Sequence, residues 1–166
     1  MTTSSRRGRL PLNSSSEAEI RKICLQLLAR REHSRRELQQ KLRGRGFAGD
    51  DMRRVIDDLA ENGWQSDRRF AESYARQRME KGYGPLRIGN ELRQRGIEDF
   101  DLDGVMEQLA ESWDELLDRL YARKFPGQKA MKRREWARRS RFLLQRGFGG
   151  EAVKALLQRL AITLEP

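Results

Sequence analysis

The chain has 166 residues, 35 of them Lys or Arg against 25 Asp or Glu, for a formal net charge of +10. A charged fraction of 36% beside a hydrophobic fraction of 37%, where an average domain is about 25% charged, argues against one round core and for a thin helical array with an anionic partner. The single cysteine, Cys24, excludes an intramolecular disulfide and a Cys-based zinc site and suits a reducing cytoplasm.

Residues 1–16 carry Arg6, Arg7 and Arg9 among serines, Pro11 and Asn13, and read as a flexible basic arm with too little apolar area to fold. The arm has no run of signal-peptide length, and no stretch elsewhere reaches the ~20 apolar residues that cross a bilayer. Ile20, Ile23, Cys24, Leu27 and Leu28 then predict an amphipathic helix. His33, the only histidine, falls in the loop before Ser34, which is placed to cap a second helix with Glu37 three residues on. That helix stops at Arg45-Gly46-Phe47, with Leu42 four residues before the glycine, as a left-handed cap requires. Met52, Val55, Ile56, Leu59 and Ala60 lie on one face of a third helix.

The same series returns twice. Phe70, Ala71, Tyr74 and Ala75 open the second copy, Leu92 and Arg95-Gly96-Ile97 close its middle helix, and Leu102, Val105, Met106, Leu109 and Ala110 form its third. Trp113, Leu116, Leu117, Leu120 and Tyr121 open the third copy, followed by Leu143, Arg146-Gly147-Phe148 and then Val153, Leu156, Leu157, Leu160 and Ala161. The sequence therefore predicts an all-α fold of three tandem three-helix repeats, 17–63, 64–111 and 112–166, stacked into an elongated array because units of ~50 residues are marginal alone. No strand pattern competes. The third repeat holds eight extra residues, which fall around Lys124-Phe125-Pro126-Gly127-Gln128.

Charge follows the repeat. Residues 98–118 hold nine acidic residues and no basic one, while 119–148 hold eleven basic and one acidic. Closely spaced arginines can neutralise phosphates with an affinity set by salt rather than sequence; acidic third helices suit a basic protein or the basic helices of this same chain. Lys81-Gly82-Tyr83-Gly84-Pro85 lacks the Gly-Lys-Ser/Thr ending of a nucleotide loop and reads instead as a reversal before a helix begun by Pro85. Tyr83 is a candidate for base or protein contact. Cys24, among Ile23, Leu27 and Leu28, reads as a buried structural thiol. The acidic run does not match a calcium loop, and neither metal nor cofactor nor small-molecule substrate is expected.

KGYGPLRIGNELRQRGI from Lys81 to Ile97, with SDRRFAESYARQR from Ser66 to Arg78 before it, resembles the central signature of the bacterial RecX regulatory proteins. SRRELQQKLRGRGF from Ser34 to Phe47 and RFLLQRGF from Arg141 to Phe148 resemble that family's first and third repeat motifs. The resemblance implies a helical repeat protein, not an enzyme. It would bind the RecA recombinase filament on single- or double-stranded DNA in the cytoplasm and inhibit its recombinase, ATPase and coprotease activities in recombination, repair and the SOS response. A helix-turn-helix transcription regulator is the alternative. The family supplies no agreed site residues, so the expected surfaces rest on charge and motif position. The basic face comprises Arg76, Arg78, Lys81, Tyr83, Arg87, Arg93 and Arg95 centrally, with Lys132, Arg133, Arg134, Arg138, Arg139 and Arg141 distally. The protein-contact face comprises Asp99, Asp101, Asp103 and Glu107.

Overall fold

The computed structural model describes residues 15–127 and 129–166. Of the arm expected over residues 1–16, Ser15 and Ser16 open a helix and the remainder lies outside the described residues. The elements run α1 (Ser15–Leu28), α2 (Arg35–Arg43), α3 (Asp50–Glu61), α4 (Asp67–Glu80), α5 (Pro85–Gln94), α6 (Leu102–Gln108), α7 (Trp113–Lys124), β1 (Ala130–Lys132), α8 (Arg133–Gln145), α9 (Gly150–Arg159) and β2 (Thr163–Glu165). The helical three-by-three order matches the sequence repeat.

The strand pair departs from it. β1 and β2 run parallel, Ala130 opposite Thr163 and Lys132 opposite Glu165. Three-residue strands are too short to show an alternating period, and their partners lie about thirty residues apart, so no local signal announces them. β1 lies just beyond the 124–128 stretch expected to hold the extra residues of repeat three, and β2 follows the last helix of that repeat.

The fold divides into two compact bodies at Asp67. The first holds α1, α2 and α3. Ile20, Cys24, Leu38, Leu42, Val55, Ile56 and Leu59 are fully buried in its core, each at the helical spacing that puts it on the inner face. Much of its charge is spent internally: Asp58 of α3 pairs with Arg21 of α1, Asp57 with Arg35 of α2, and Arg54 with Glu17, which is buried. Ser34 caps α2 by accepting from the Glu37 N–H at 3.1 Å. His33 is buried beside it, its carbonyl accepting from Gln65, in a structural place.

In the second body α4 to α9 share one continuous core, running from Phe70 and Ala75 through Ile88 and Leu92 to Leu117, Leu143 and Leu156. The middle helix of every repeat ends in the same way: Gly46, Gly96 and Gly147 have φ of 87°, 84° and 94°. The N–H of Phe47, Ile97 and Phe148 then donates to the carbonyl of Leu42, Leu92 and Leu143 at 3.1, 3.0 and 3.3 Å. This is the six-to-one closure of a Schellman cap, with the following apolar residue folded onto the last turn. Third helices close similarly, but at Ala110 and Ala161 a non-glycine residue takes the left-handed position, with φ of 52° and 49°. α6 stops at Gln108 after seven residues, so Leu109, expected in the core, is 39% exposed.

Candidate nucleic-acid interface

α5 begins where α8 ends, and the join is made of backbone. The N–H of Gly84 donates to the Arg146 carbonyl at 2.8 Å and that of Leu86 to the Gly147 carbonyl at 3.0 Å, so carbonyls beyond α8 satisfy donors that the first turn of α5 would leave orphaned. No side chain fits between: a Cβ on Gly84 would stand 2.5 Å from the Gly147 oxygen, and one on Gly147 would stand 2.4 Å from the Arg87 Cβ. The glycines of the reversal loop and of the third cap are needed for this approach. Two guanidiniums cross the join in opposite directions, Arg87 donating to the Gln145 carbonyl and Arg146 to the Lys81 carbonyl.

Around that join sits a cluster of cations and tyrosines. The Tyr83 ring has the guanidiniums of Arg78, Arg87 and Arg146 at 3.8, 4.5 and 4.7 Å from its centroid, and Arg95 lies 4.6 Å from the Tyr74 centroid. Glu91 ties them together. It accepts from Tyr74 Oη at 2.7 Å, Arg78 at 2.6 Å and Arg87 at 3.0 Å. Burial pushes the Glu91 carboxyl up, but these three donors outweigh it and hold it below the ordinary carboxylate range; burial and the bond to Glu91 push the Tyr74 phenol up.

Much of the expected central face is therefore engaged within the protein. Arg78 is largely buried, Arg95 donates to the Glu91 carbonyl, Arg76 holds Gln108, and Arg93 is exposed but bonded to Asn90. Tyr83, expected to contact a base or a protein, already has three arginines against its ring. Lys81 stays exposed. Arg146 and Glu91 complete the cluster from outside the expected face; Arg146 belongs to the Arg-Gly-Phe marker, whose pattern signals only a helix stop.

α8 is different. Arg134, Arg138 and Arg141 fall at i, i+4 and i+7, within about 60° of one another around the axis and about 10 Å end to end. All three are exposed, as are Lys132 and Arg133; Arg134, Arg138, Arg141 and Lys132, with Met131, Ala137 and Glu165, line one cleft beside the strand pair. Arg138 shares Glu135 with Arg139, and the bonds from Arg138 and then Arg139 pull the Glu135 carboxyl down to about 2. Lys132, Arg133, Arg134 and Arg141 have no side-chain partner among the described residues.

Arg139 leaves the basic face. It is 5% exposed, donates to Tyr121 Oη at 2.9 Å and to Glu135 at 2.8 Å, and lies 4.7 Å from the Phe125 ring centroid. Its place in α8 answers to Leu38 in α2 and Ile88 in α5, both fully buried, so the helix that carries the exposed arginine stripe turns this arginine inward by the same periodicity.

Two carboxylates of the expected acidic face, both exposed, have partners within the chain. Asp101 is the N-cap of α6 and accepts from the Gly104 N–H at 2.9 Å, and Asp103 accepts from the Trp113 indole at 2.7 Å. Both have structural work. Asp114 and Asp118 pair with Arg159, and Glu111 with Arg119. Asp99 and Glu107 remain exposed with no partner among the described residues. Cys24 is buried, and burial raises its thiol to about 11, which keeps it protonated and unreactive. Among the described residues no group of His, Cys, Asp and Glu is placed to hold a metal, and no helix is long and apolar enough to cross a membrane.

Comparison with known proteins agrees with this architecture. The first, second and third three-helix domains of RecX match residues 21–59, 66–106 and 112–157. Regulatory protein RecX of Halorhodospira halophila is 44% identical over 142 residues, 86% of this chain and 88% of that one; that of Pseudomonas entomophila is 42% identical over 138 residues, 83% and 89%. The crystal structure of RecX from Lactobacillus salivarius superposes with a TM-score of 0.65 at 23% identity, covering 88% of this chain and 97% of that one, a likeness that concerns the fold. The chain belongs to the RecX family of regulatory proteins.

Proposed function

We propose that this protein binds the RecA recombinase filament on DNA and restrains its activity, with the α8 stripe set against the phosphate backbone. The observation that carries the DNA contact is the alignment of Arg134, Arg138 and Arg141 on one exposed face of α8, flanked by Lys132 and Arg133. Guanidiniums spaced along a helix face neutralise successive phosphates without reading bases. The mechanism is steric and electrostatic: the protein acts by occupying the filament, not by a reaction of its own. Single- and double-stranded DNA both fit, the cell compartment is the cytoplasm, and the three repeats, 17–63, 64–111 and 112–166, act as consecutive contact modules.

The test is a titration of this protein into RecA turning over ATP on single-stranded DNA. Turnover falls with added protein and reaches a plateau, and the protein alone shows no ATPase. Unchanged RecA turnover at saturating protein would overturn the reading; tight binding to a single duplex sequence without RecA would favour transcription control instead.

A further inference from the structure

Gly89 sits inside α5, where glycine costs about 1 kcal/mol relative to alanine. Unlike Gly84 and Gly147, it has no packing reason to be there: a Cβ would meet only the mobile end of Arg93, at 3.6 Å. Its φ is not in the left-handed region. The missing side chain instead leaves open a small pocket of about 190 Å³ with Leu86, Ile97, Phe100 and Leu102 in its walls. Leu86 is 62% exposed, a large apolar residue held in solvent at the lip. The volume suits one large apolar side chain.

The pocket lies opposite the arginine cluster. At 100° per residue, Arg87, Glu91 and Arg95 share one flank of α5, while Leu86, Gly89 and Arg93 share the other. An acidic run begins at the pocket's edge: Glu98, Asp99, Asp101 and Asp103 follow one another closely in sequence, and no basic residue occurs between 98 and 118. Glu98 lines the pocket and Asp99 beside it is exposed. Arg93 also lines it.

We propose that this pocket is a protein-docking site that takes one large apolar side chain of the recombinase, flanked in that protein by a basic residue that meets Glu98 and Asp99. The proposal rests on the recombinase reading above and assigns protein contact to the flank of α5 that faces away from the arginines. Glu98 and the exposed Asp99 disfavour a phosphate backbone as the occupant, and the apolar floor selects a side chain that such a backbone does not offer.

Gly89→Leu places a side chain in the pocket while raising helix propensity; Gly89→Ala adds only a methyl and serves as control. Affinity for RecA filaments, read by inhibition of their ATPase, drops about ten-fold or more for Gly89→Leu, the worth of one large buried side chain, and stays near the parent for Gly89→Ala. Naked-DNA affinity is unchanged in both. Melting curves accompany the series, and if Gly89→Leu is unstable the exposed double variant Glu98→Lys, Asp99→Lys gives the same readout through the rim, with weakened inhibition expected. Inhibition by Gly89→Leu equal to the parent's, or parallel loss of naked-DNA binding, overturns the docking site while leaving the recombinase reading intact. A parent protein that leaves RecA turnover unchanged overturns both.

Discussion

Ala110 and Ala161 occupy left-handed backbone with φ of 52° and 49° at the ends of α6 and α9, whereas α3, which runs further in its repeat, reaches its left-handed stop at Gly63, with φ of 75°. An L side chain there brings Cβ against the next carbonyl at roughly 1–2 kcal/mol, partly offset because glycine has more unfolded-state freedom to lose. Ala110→Gly and Ala161→Gly should each raise stability by about 0.5–1 kcal/mol, read as a shift in denaturant midpoint. Arg139 supports the opposite kind of expectation. Arg139→Met keeps most of its buried volume, and Glu135 retains Arg138, so no charge is stranded; stability should stay within about 1 kcal/mol of the parent. Arg139→Ala leaves a void and should cost about 2–4 kcal/mol. Neither should alter the salt dependence of DNA binding, which a phosphate-contacting arginine would.

At the scale of elements, the join between α5 and α8 is the most constrained place in the second body. Gly147→Ala would require both a strained left-handed residue and displacement of Arg87, whose Cβ lies 2.4 Å from the added atom; a loss of about 3 kcal/mol is expected. Gly46→Ala pays only the backbone strain, since nothing lies within 4 Å of the added Cβ, and comparing the two by chemical denaturation isolates the join. α8 carries a pH signature as well. Glu135 is held down to about 2 by Arg138 and Arg139, so its contribution is complete above its unfolded value near 4.5 and is lost as pH falls toward 2; Glu91, also lowered, acts in the same sense. Acid unfolding of Glu135→Gln should show a shallower dependence between those limits, and an unchanged slope would remove Glu135 from the acid response.

Across the whole molecule, the Schellman stops and the Ser34 and Pro85 helix starts were legible because each depends on residues within five positions of one another, and the repeat because the same helix faces return about every 50 residues. Pairing was not. Charge that is segregated along the sequence is brought together in space: Asp57 and Asp58 meet arginines of α1 and α2, and Arg159 of α9 meets Asp114 and Asp118 of α7. A count of charges by segment therefore overstated the free acidic face and the free central basic face. Helical angle separates Arg139 from Arg134, Arg138 and Arg141 by roughly a third to half a turn and puts it on the inner side of α8. The short strands and the carbonyl-capped start of α5 depend on residues more than thirty and sixty positions apart, and no local pattern encodes them.

That exposed stripe is the centre of the functional reading, and the salt dependence of binding tests it most directly. Affinity for a nonspecific DNA is measured between ~50 and ~200 mM salt for the parent, for Arg134→Gln, Arg138→Gln, Arg141→Gln in one chain, and for Arg139→Met. Each lost phosphate contact lowers the slope of log affinity against log salt by about 0.7–0.9. The triple variant should lose about 2–3 from that slope with its fold intact, while Arg139→Met retains the parent's value. A triple variant whose slope equals the parent's would contradict the assignment of α8 to the DNA backbone.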